Sequence, residues 1–425
     1  MYALVLLVGC GVEDDSGSPP STDTGPPADT GSPITDLAPS VTWSATCDQR
    51  LGASLTSGPG ARLVIGGPSR GSEYWEDTEN STIYLINSLI GSLSGGTIAR
   101  AEGDYVSDSG GYANTLLGTE VVLPGDVTGD GEPDLLAFTS PGDSDLSEPA
   151  YLFPGPLLGS HSVTDPGVLP VAGRDAWSGV RCGDLDGNGV DELCHASGVA
   201  FGPVGPSPEP GLTWSAADPA GMRIAAADLD GDGVNDLLLA DPASSALVRL
   251  TSFAAGDVDL ASAAEATWTA PMGHATAMVA GDDLDGDGRG DIAVAWNDGA
   301  ATTVYLLVDA GGSAMDEAAT AIALPAVALT TGDLDSDGVA ELAAGGDGSV
   351  WVFSGPIEAG GLEGGDASAH LIGAQHPDDS FGAALLAIES DDALRWDLVV
   401  GAPDVHSDSP YEPYGEVYLF RWVSL

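Results

Sequence analysis

The sequence predicts an all-β protein, a closed seven-bladed β-propeller with four strands per blade over residues 40–425. Three observations predict it. An acidic phrase, carboxylates at alternate positions 1, 3, 5 with glycine at 6 and a carboxylate at 9, precedes a β-type apolar run and starts at Asp126, Asp184, Asp228, Asp283 and Asp333, spaced by 44–58 residues. Self-similarity at such a period marks a repeat architecture. Each copy is followed by a second strand-like run, AYLF from Ala150, VAF from Val199, ALVRL from Ala246, TVYLLV from Thr303 and SVWVF from Ser349. Weaker copies bracket the five, with Leu63-Val-Ile-Gly-Gly-Pro68 and TIYLI at Thr82 before them, and Asp397-Leu-Val-Val-Gly-Ala-Pro403 and EVYLF at Glu416 after them. The third observation concerns closure. Val41-Thr-Trp-Ser-Ala matches the fourth-strand runs Leu212-Thr-Trp-Ser-Ala and Ala266-Thr-Trp-Thr-Ala but lies before the first copy, and the seventh copy stops after its third strand. An N-terminal strand that completes the last blade leaves the ring no open end. An open solenoid would not displace a strand in this way.

Composition sets the limits. The chain has 425 residues, 65 acidic and 11 basic, for a formal charge of −54, and every basic residue is arginine. Such a field repels phosphate backbones and anionic lipid surfaces, which excludes nucleic-acid binding. Hydrophobic residues make up 43% and mean hydropathy is +0.09, enough apolar surface for a packed core. Sixty glycines and 29 prolines argue against a helical protein.

The first residues read as targeting. Tyr2-Ala-Leu-Val-Leu-Leu-Val8 followed by Gly9-Cys10 resembles a bacterial lipobox, so residues 1–10 are expected to be a lipoprotein signal peptide with Cys10 acylated. Residues 11–39, rich in Pro, Gly, Ser, Thr and Asp, are expected to be a disordered spacer. No run is long enough to span a bilayer as a helix. The expected location is therefore exported and lipid-anchored at the cell envelope or surface, with the lipid the only membrane contact.

Hard oxygen donors at alternate loop positions are what calcium requires, with six to eight oxygens at about 2.3–2.6 Å. Position 6 is glycine throughout (Gly131, Gly189, Gly233, Gly288, Gly338), where the chain turns about the ion. Position 2 is apolar (Val127, Leu185, Leu229, Leu284, Leu334) and can anchor the loop in the core. An EF-hand would need a bidentate Glu at position 12, where Ala137, His195, Leu239, Val294 and Ala344 stand, and helices where these copies have strand-like runs.

The phrase, with its flanks Phe381-Gly382 and Gly401-Ala402-Pro403, resembles the FG-GAP repeats of integrin α-subunit propellers and of bacterial proteins that share them. The resemblance implies about five structural Ca2+ sites. Its ligands would be Asp126, Thr128, Asp130, Glu132 and Asp134 in blade 2, and Asp184, Asp186, Asn188, Val190 and Glu192 in blade 3. Blade 4 would use Asp228, Asp230, Asp232, Val234 and Asp236; blade 5 Asp283, Asp285, Asp287, Arg289 and Asp291; blade 6 Asp333, Asp335, Asp337, Val339 and Glu341. Position 7 would contribute its backbone carbonyl. Thr128 and Asn188 replace carboxylates and should weaken their sites. Blades 1 and 7 lack the constellation and are expected to hold no ion.

Cys182 and Cys194 each lie two residues outside the Asp184–Glu192 loop, across one hairpin. A disulfide is expected there, two buried thiols being the alternative, and Cys47 is left without an obvious partner. The adhesive tripeptide Arg289-Gly290-Asp291 is a decoy, since Asp291 is loop position 9 and should turn inward. Long loops carry Tyr74, Trp75, Tyr105, Tyr112, Tyr411 and Tyr414, expected together on the face opposite the acidic loops as a face for a protein or glycan ligand. The bland reading is that these loops are merely long and solvated. The expected function is a non-enzymatic, calcium-binding propeller for protein or glycan binding or adhesion. The alternatives are a propeller-type hydrolase or lyase with a central-channel site, where Arg181 and Arg223 stand out, and a purely structural envelope module.

Overall fold

Runs of β-branched and aliphatic residues, cut at short intervals by Gly, Pro and Asp, favour strands joined by tight turns. The computed structural model describes residues 4–8, 39, 41–45, 50–58, 61–68, 81–86, 98–103, 117–139, 150–157, 160–163, 165–171, 177–195, 198–205, 208–215, 221–241, 245–308, 315, 320–357, 364–373, 379–389, 396–405 and 415–421. They form seven small antiparallel sheets, the blades of a β-propeller.

From the innermost strand outward, blade 1 is Ser54–Gly58, Ala61–Gly67, Ser81–Ile86 and Ile98–Gly103, and blade 2 is Glu120–Gly125, Asp134–Phe138, Ala150–Phe153 and Leu169–Val171. Blade 3 is Trp177–Arg181, Leu193–His195, Gly198–Ala200 and Leu212–Trp214. Blade 4 is Arg223–Ala227, Asp236–Asp241, Ala246–Leu250 and Ala266–Thr269. Blade 5 is His274–Ala280, Ile292–Asn297, Thr302–Leu307 and Thr320–Ala323, and blade 6 is Ala328–Gly332, Glu341–Gly346, Ser349–Phe353 and Ala369–Ile372. Blade 7 is Ala384–Glu389, Trp396–Ala402 and Glu416–Arg421, completed by Val41–Ala45. Each innermost strand contacts the innermost strands on either side, and that of blade 7 returns to that of blade 1, so the inner wall is a closed ring.

Closure runs through the displaced strand, which pairs antiparallel with Glu416–Arg421 in the register Val41 to Leu419 and Trp43 to Val417. Trp43, 2% exposed, packs with Leu63 and Ile65 of blade 1 and Val399 and Val417 of blade 7. The seam is fastened again where Arg50 Nε donates to Asp404 Oδ1 at 2.9 Å. Seven hydrophobic clusters make up the core, one in each wedge between adjacent blades. Successive side chains of a strand face opposite sides of its sheet, so every blade supplies both of its neighbours. This is why the middle strands read as continuous apolar runs rather than alternating ones.

Blades of four strands were expected; three sheets carry a fifth, parallel one. Ser160–Ser162, from blade 2, lies on the outer strand of blade 1, and Gly256–Val258, from blade 4, lies on that of blade 3. Leu4–Val8 lies on Val41–Ala45 of blade 7. An outer strand presents unpaired N–H and C=O groups, and a passing segment can satisfy them. In blades 2 and 4 that segment sits between the third and fourth strands and crosses back to the preceding blade.

Candidate metal centres

All five acidic loops join the first strand of a blade to the second, which places them on one face of the ring. Their local geometry repeats. The position-1 carboxylate caps the turn: Asp283 accepts from the N–H groups of Gly286, Asp287 and Gly288 at 2.6, 3.1 and 2.8 Å, and Asp184 and Asp228 accept from the equivalent groups. The position-5 side chain accepts from the N–H of position 7, as Asp287 does from Arg289 at 2.9 Å and Asn188 from Val190 at 2.8 Å. Position 6 must be glycine because its φ is left-handed, +85° at Gly288 and +95° at Gly338, whereas a Cβ there would meet nothing. The position-2 side chains are buried in the wedges.

Position 9 opens the second strand and faces inward. Asp134, Glu192, Asp236, Asp291 and Glu341 are all buried. Each accepts from the N–H of position 2, at 2.7 Å from Leu284 to Asp291, 2.7 Å from Leu334 to Glu341 and 3.0 Å from Leu229 to Asp236, and from Leu185 to Glu192. Burial pushes these carboxyls up, to about 6 at Asp134 and about 7 at Glu192, Asp291 and Glu341, against the pull of the backbone N–H groups. The neighbouring carboxylates add to the rise: Asp285 at Asp291, Asp335 at Glu341 and Asp186 at Glu192.

The carboxylates converge in four loops, with one oxygen from each residue and all within 4.8 Å of one another. In three loops the group is positions 1, 3 and 9: Asp184, Asp186 and Glu192; Asp283, Asp285 and Asp291; Asp333, Asp335 and Glu341. In blade 4 it is Asp228, Asp230 and Asp232, with Asp236 left out. The blade-2 loop forms no such group among the described residues; Thr128 holds position 3 and donates its Oγ1 to Asp134 at 3.3 Å. Asp130, Asp287 and Asp337 at position 5 bond to the backbone and stand outside the groups. Within these groups two buried oxygens, Oδ1 of Asp291 and Oε1 of Glu341, have no hydrogen-bond partner among the described residues. A buried carboxylate oxygen left unbonded next to two further carboxylates is a donor set that fits a hard cation. The residues of blades 5 and 6 meet that test.

The loops also stitch blade to blade. The carbonyl at position 1 of one loop accepts from the N–H at position 8 of the next, Asp191 to Asp126 at 3.0 Å and Ala340 to Asp283 at 2.8 Å. The carbonyl at position 2 accepts from beyond the next blade's third strand, Val204 to Val127 and Ile357 to Leu284, both at 2.8 Å.

Two kinds of residue that sequence reasoning passed over shape these sites. Gly155, Gly202 and Gly355 leave the third strands of blades 2, 3 and 6 directly over the loop. A Cβ on Gly355 would lie 2.4 Å from Val339 Cγ1 and 2.9 Å from the Ala340 carbonyl. Gly155 N–H donates to Asp134 at 3.1 Å. A Gly-Pro pair after the third strand was their visible signal. The other is Arg249, in the third strand of blade 4. Its Nη2 lies 2.9 Å from Asp236 and 3.0 Å from Asp230.

Cys182 and Cys194 are joined as a disulfide, Cα atoms 6.2 Å apart, across the neck of the blade-3 loop. Asp291 of the Arg-Gly-Asp tripeptide is 1% exposed and turned into its loop. Tyr74, Trp75, Tyr105, Tyr112, Tyr411, Tyr414, Cys10 and Cys47 lie outside the described residues, as does the 11–39 spacer apart from its last residue. Arg181 and Arg223 sit at ends of inner strands, Arg223 Nε donating to the Thr276 carbonyl at 3.4 Å.

In sequence, no known protein family and no curated protein matches the chain. Among solved structures, the V. cholerae biofilm matrix protein Bap1 is similar with a TM-score of 0.40 and 10% identity, over 85% of this chain and 84% of that one.

Proposed function

We propose that this chain is a calcium-stabilised propeller that serves as an extracellular binding module, not an enzyme. The observation that carries the calcium reading is the pair of loops in blades 5 and 6, where three carboxylates converge within 4.8 Å and one buried oxygen of each group is unbonded. Two carboxylates about 4 Å apart repel by roughly 4 kcal/mol at an effective dielectric near 20. A divalent ion held by Asp283, Asp285 and Asp291, by Asp333, Asp335 and Glu341, and by Asp184, Asp186 and Glu192 would turn that repulsion into attraction. Because these loops are stitched to their neighbours, the gain would reach the wedges. The FG-GAP-like phrase supports the same reading.

A binding role is favoured over catalysis by the channel wall. The inner strands carry titratable side chains only at end residues: Glu120, Arg181, Arg223, His274 and Glu389. A disulfide suits an oxidising compartment, in keeping with export and a Cys10 lipid anchor. The partner would be a protein or glycan, taken on the face opposite the acidic loops by the aromatic residues Tyr74, Trp75, Tyr105, Tyr112, Tyr411 and Tyr414.

Thermal melting in calcium, in magnesium and in excess chelator tests the first half. The melting temperature should be well above the chelated value in calcium, with a smaller rise in magnesium, which demands tighter octahedral geometry. An identical melt in calcium and chelator overturns the calcium reading. A glycan and surface-protein screen with wild type and a Trp75→Ala/Tyr411→Ala double variant tests the second half, capture by wild type alone being the expected result.

A further inference from the structure

The acidic phrase of blade 4 is intact, Asp228-Leu-Asp-Gly-Asp-Gly-Val-Asn-Asp236, yet its carboxylates are arranged unlike those of blades 3, 5 and 6. There position 9 joins positions 1 and 3, whereas here Asp236 stands outside the group and lies 2.9 Å from Arg249 Nη2. The strand register explains how the arginine arrives. Arg249 pairs with Leu238, and the residues at the same place in the other loop-bearing blades are Leu152, Val199, Leu306 and Val352. All four are aliphatic and buried. Arg249 is buried too, 5% exposed, and its Nη2 lies 3.0 Å from Asp230 and 2.9 Å from Asp236. A buried guanidinium persists where carboxylates surround it.

We propose that Arg249 is the resident cation of the blade-4 loop, so that this loop closes without a divalent ion. The guanidinium occupies one oxygen each of positions 3 and 9, and its charge opposes the entry of calcium at the same place. Asp228 is left to cap the turn and Asp232 to face solvent. Blade 7 carries a related pairing. There Asp397, the second residue of the second strand, is buried opposite Arg421 in the third, with Nε 3.9 Å from Oδ2, a looser contact than that of Arg249, and its loop lacks the acidic phrase. The ring then has two kinds of fastening, ion-dependent in blades 3, 5 and 6 and ion-independent in blade 4.

This inference rests on the calcium reading for the other loops, and the experiment separates the two. Bound calcium is counted on the full chain by equilibrium dialysis and atomic emission. Asp283→Ala should lower the count by one ion, Asp228→Ala should leave it unchanged, and Arg249→Met should raise it by one. Loss of an ion in Asp228→Ala, or no gain in Arg249→Met, overturns the proposal while the calcium reading stands. A wild-type chain that binds no ion, with Asp283→Ala silent, overturns the calcium reading instead. The latch is then judged in chelator, where Arg249→Met should lower the melting temperature and adding Asp236→Asn should restore most of it; a silent Arg249→Met refutes it. If Arg249→Met does not fold, the Asp228→Ala count still decides.

Discussion

At the scale of the residue, position 9 is where burial works against charge. Asp291 bonds Leu284 and Asp285 through one oxygen and leaves the other unbonded, and burial holds its carboxyl at about 7. In the unfolded chain an aspartate titrates near 4. The folded, ion-free protein therefore holds more protons than the unfolded one between about pH 4 and pH 7. Its stability from these groups is full below that window and is lost as pH rises through it. Melting in chelator should accordingly fall from pH 5 to pH 8. Asp291→Asn, which keeps an acceptor and removes the charge, should flatten that slope and also lose part of the calcium-dependent rise. A chelated melt that rises with pH, or a slope unchanged in Asp291→Asn, would refute the assignment.

At the scale of the element, each loop depends on what passes over it. The third-strand exit fits only because Gly355 has no side chain; Gly355→Ala puts a Cβ against Val339 and Ala340. Its φ is not left-handed, so the cost is steric, about 1–3 kcal/mol of overpacking. Urea unfolding in calcium should show that loss, and a change within a few tenths of a kcal/mol would mean the exit is not clamped to the loop. The position-6 glycines were legible in the sequence because a left-handed turn is a local demand. Gly155, Gly202 and Gly355 were harder to see, since their need for small size comes from a segment 11–23 residues back. Arg249 was hidden for the same reason. It lies in an ordinary strand 13 residues after Asp236, and only the fold of blade 4 brings the two together.

At the scale of the whole molecule, seven separate wedges replace a single central core, and the ring survives only if it has no gap. Val41–Ala45 supplies the last outer strand, and Trp43 fills the wedge between blades 7 and 1. Trp43→Ala should cost about 3–5 kcal/mol in urea unfolding, the range for emptying an aromatic core site. A loss below about 1 kcal/mol would mean that closure does not depend on this strand. Blade number, strand order, closure and the acidic turns follow from the sequence by itself, because each rests on a repeated local pattern: apolar runs, glycine at a left-handed position, a strand motif out of place. Which carboxylates meet, which of their oxygens stay unbonded, where an arginine reaches two of them and which outer edges take a fifth strand were decided only by the tertiary structure. Those are matters of distance between segments far apart along the chain, and no local pattern encodes them.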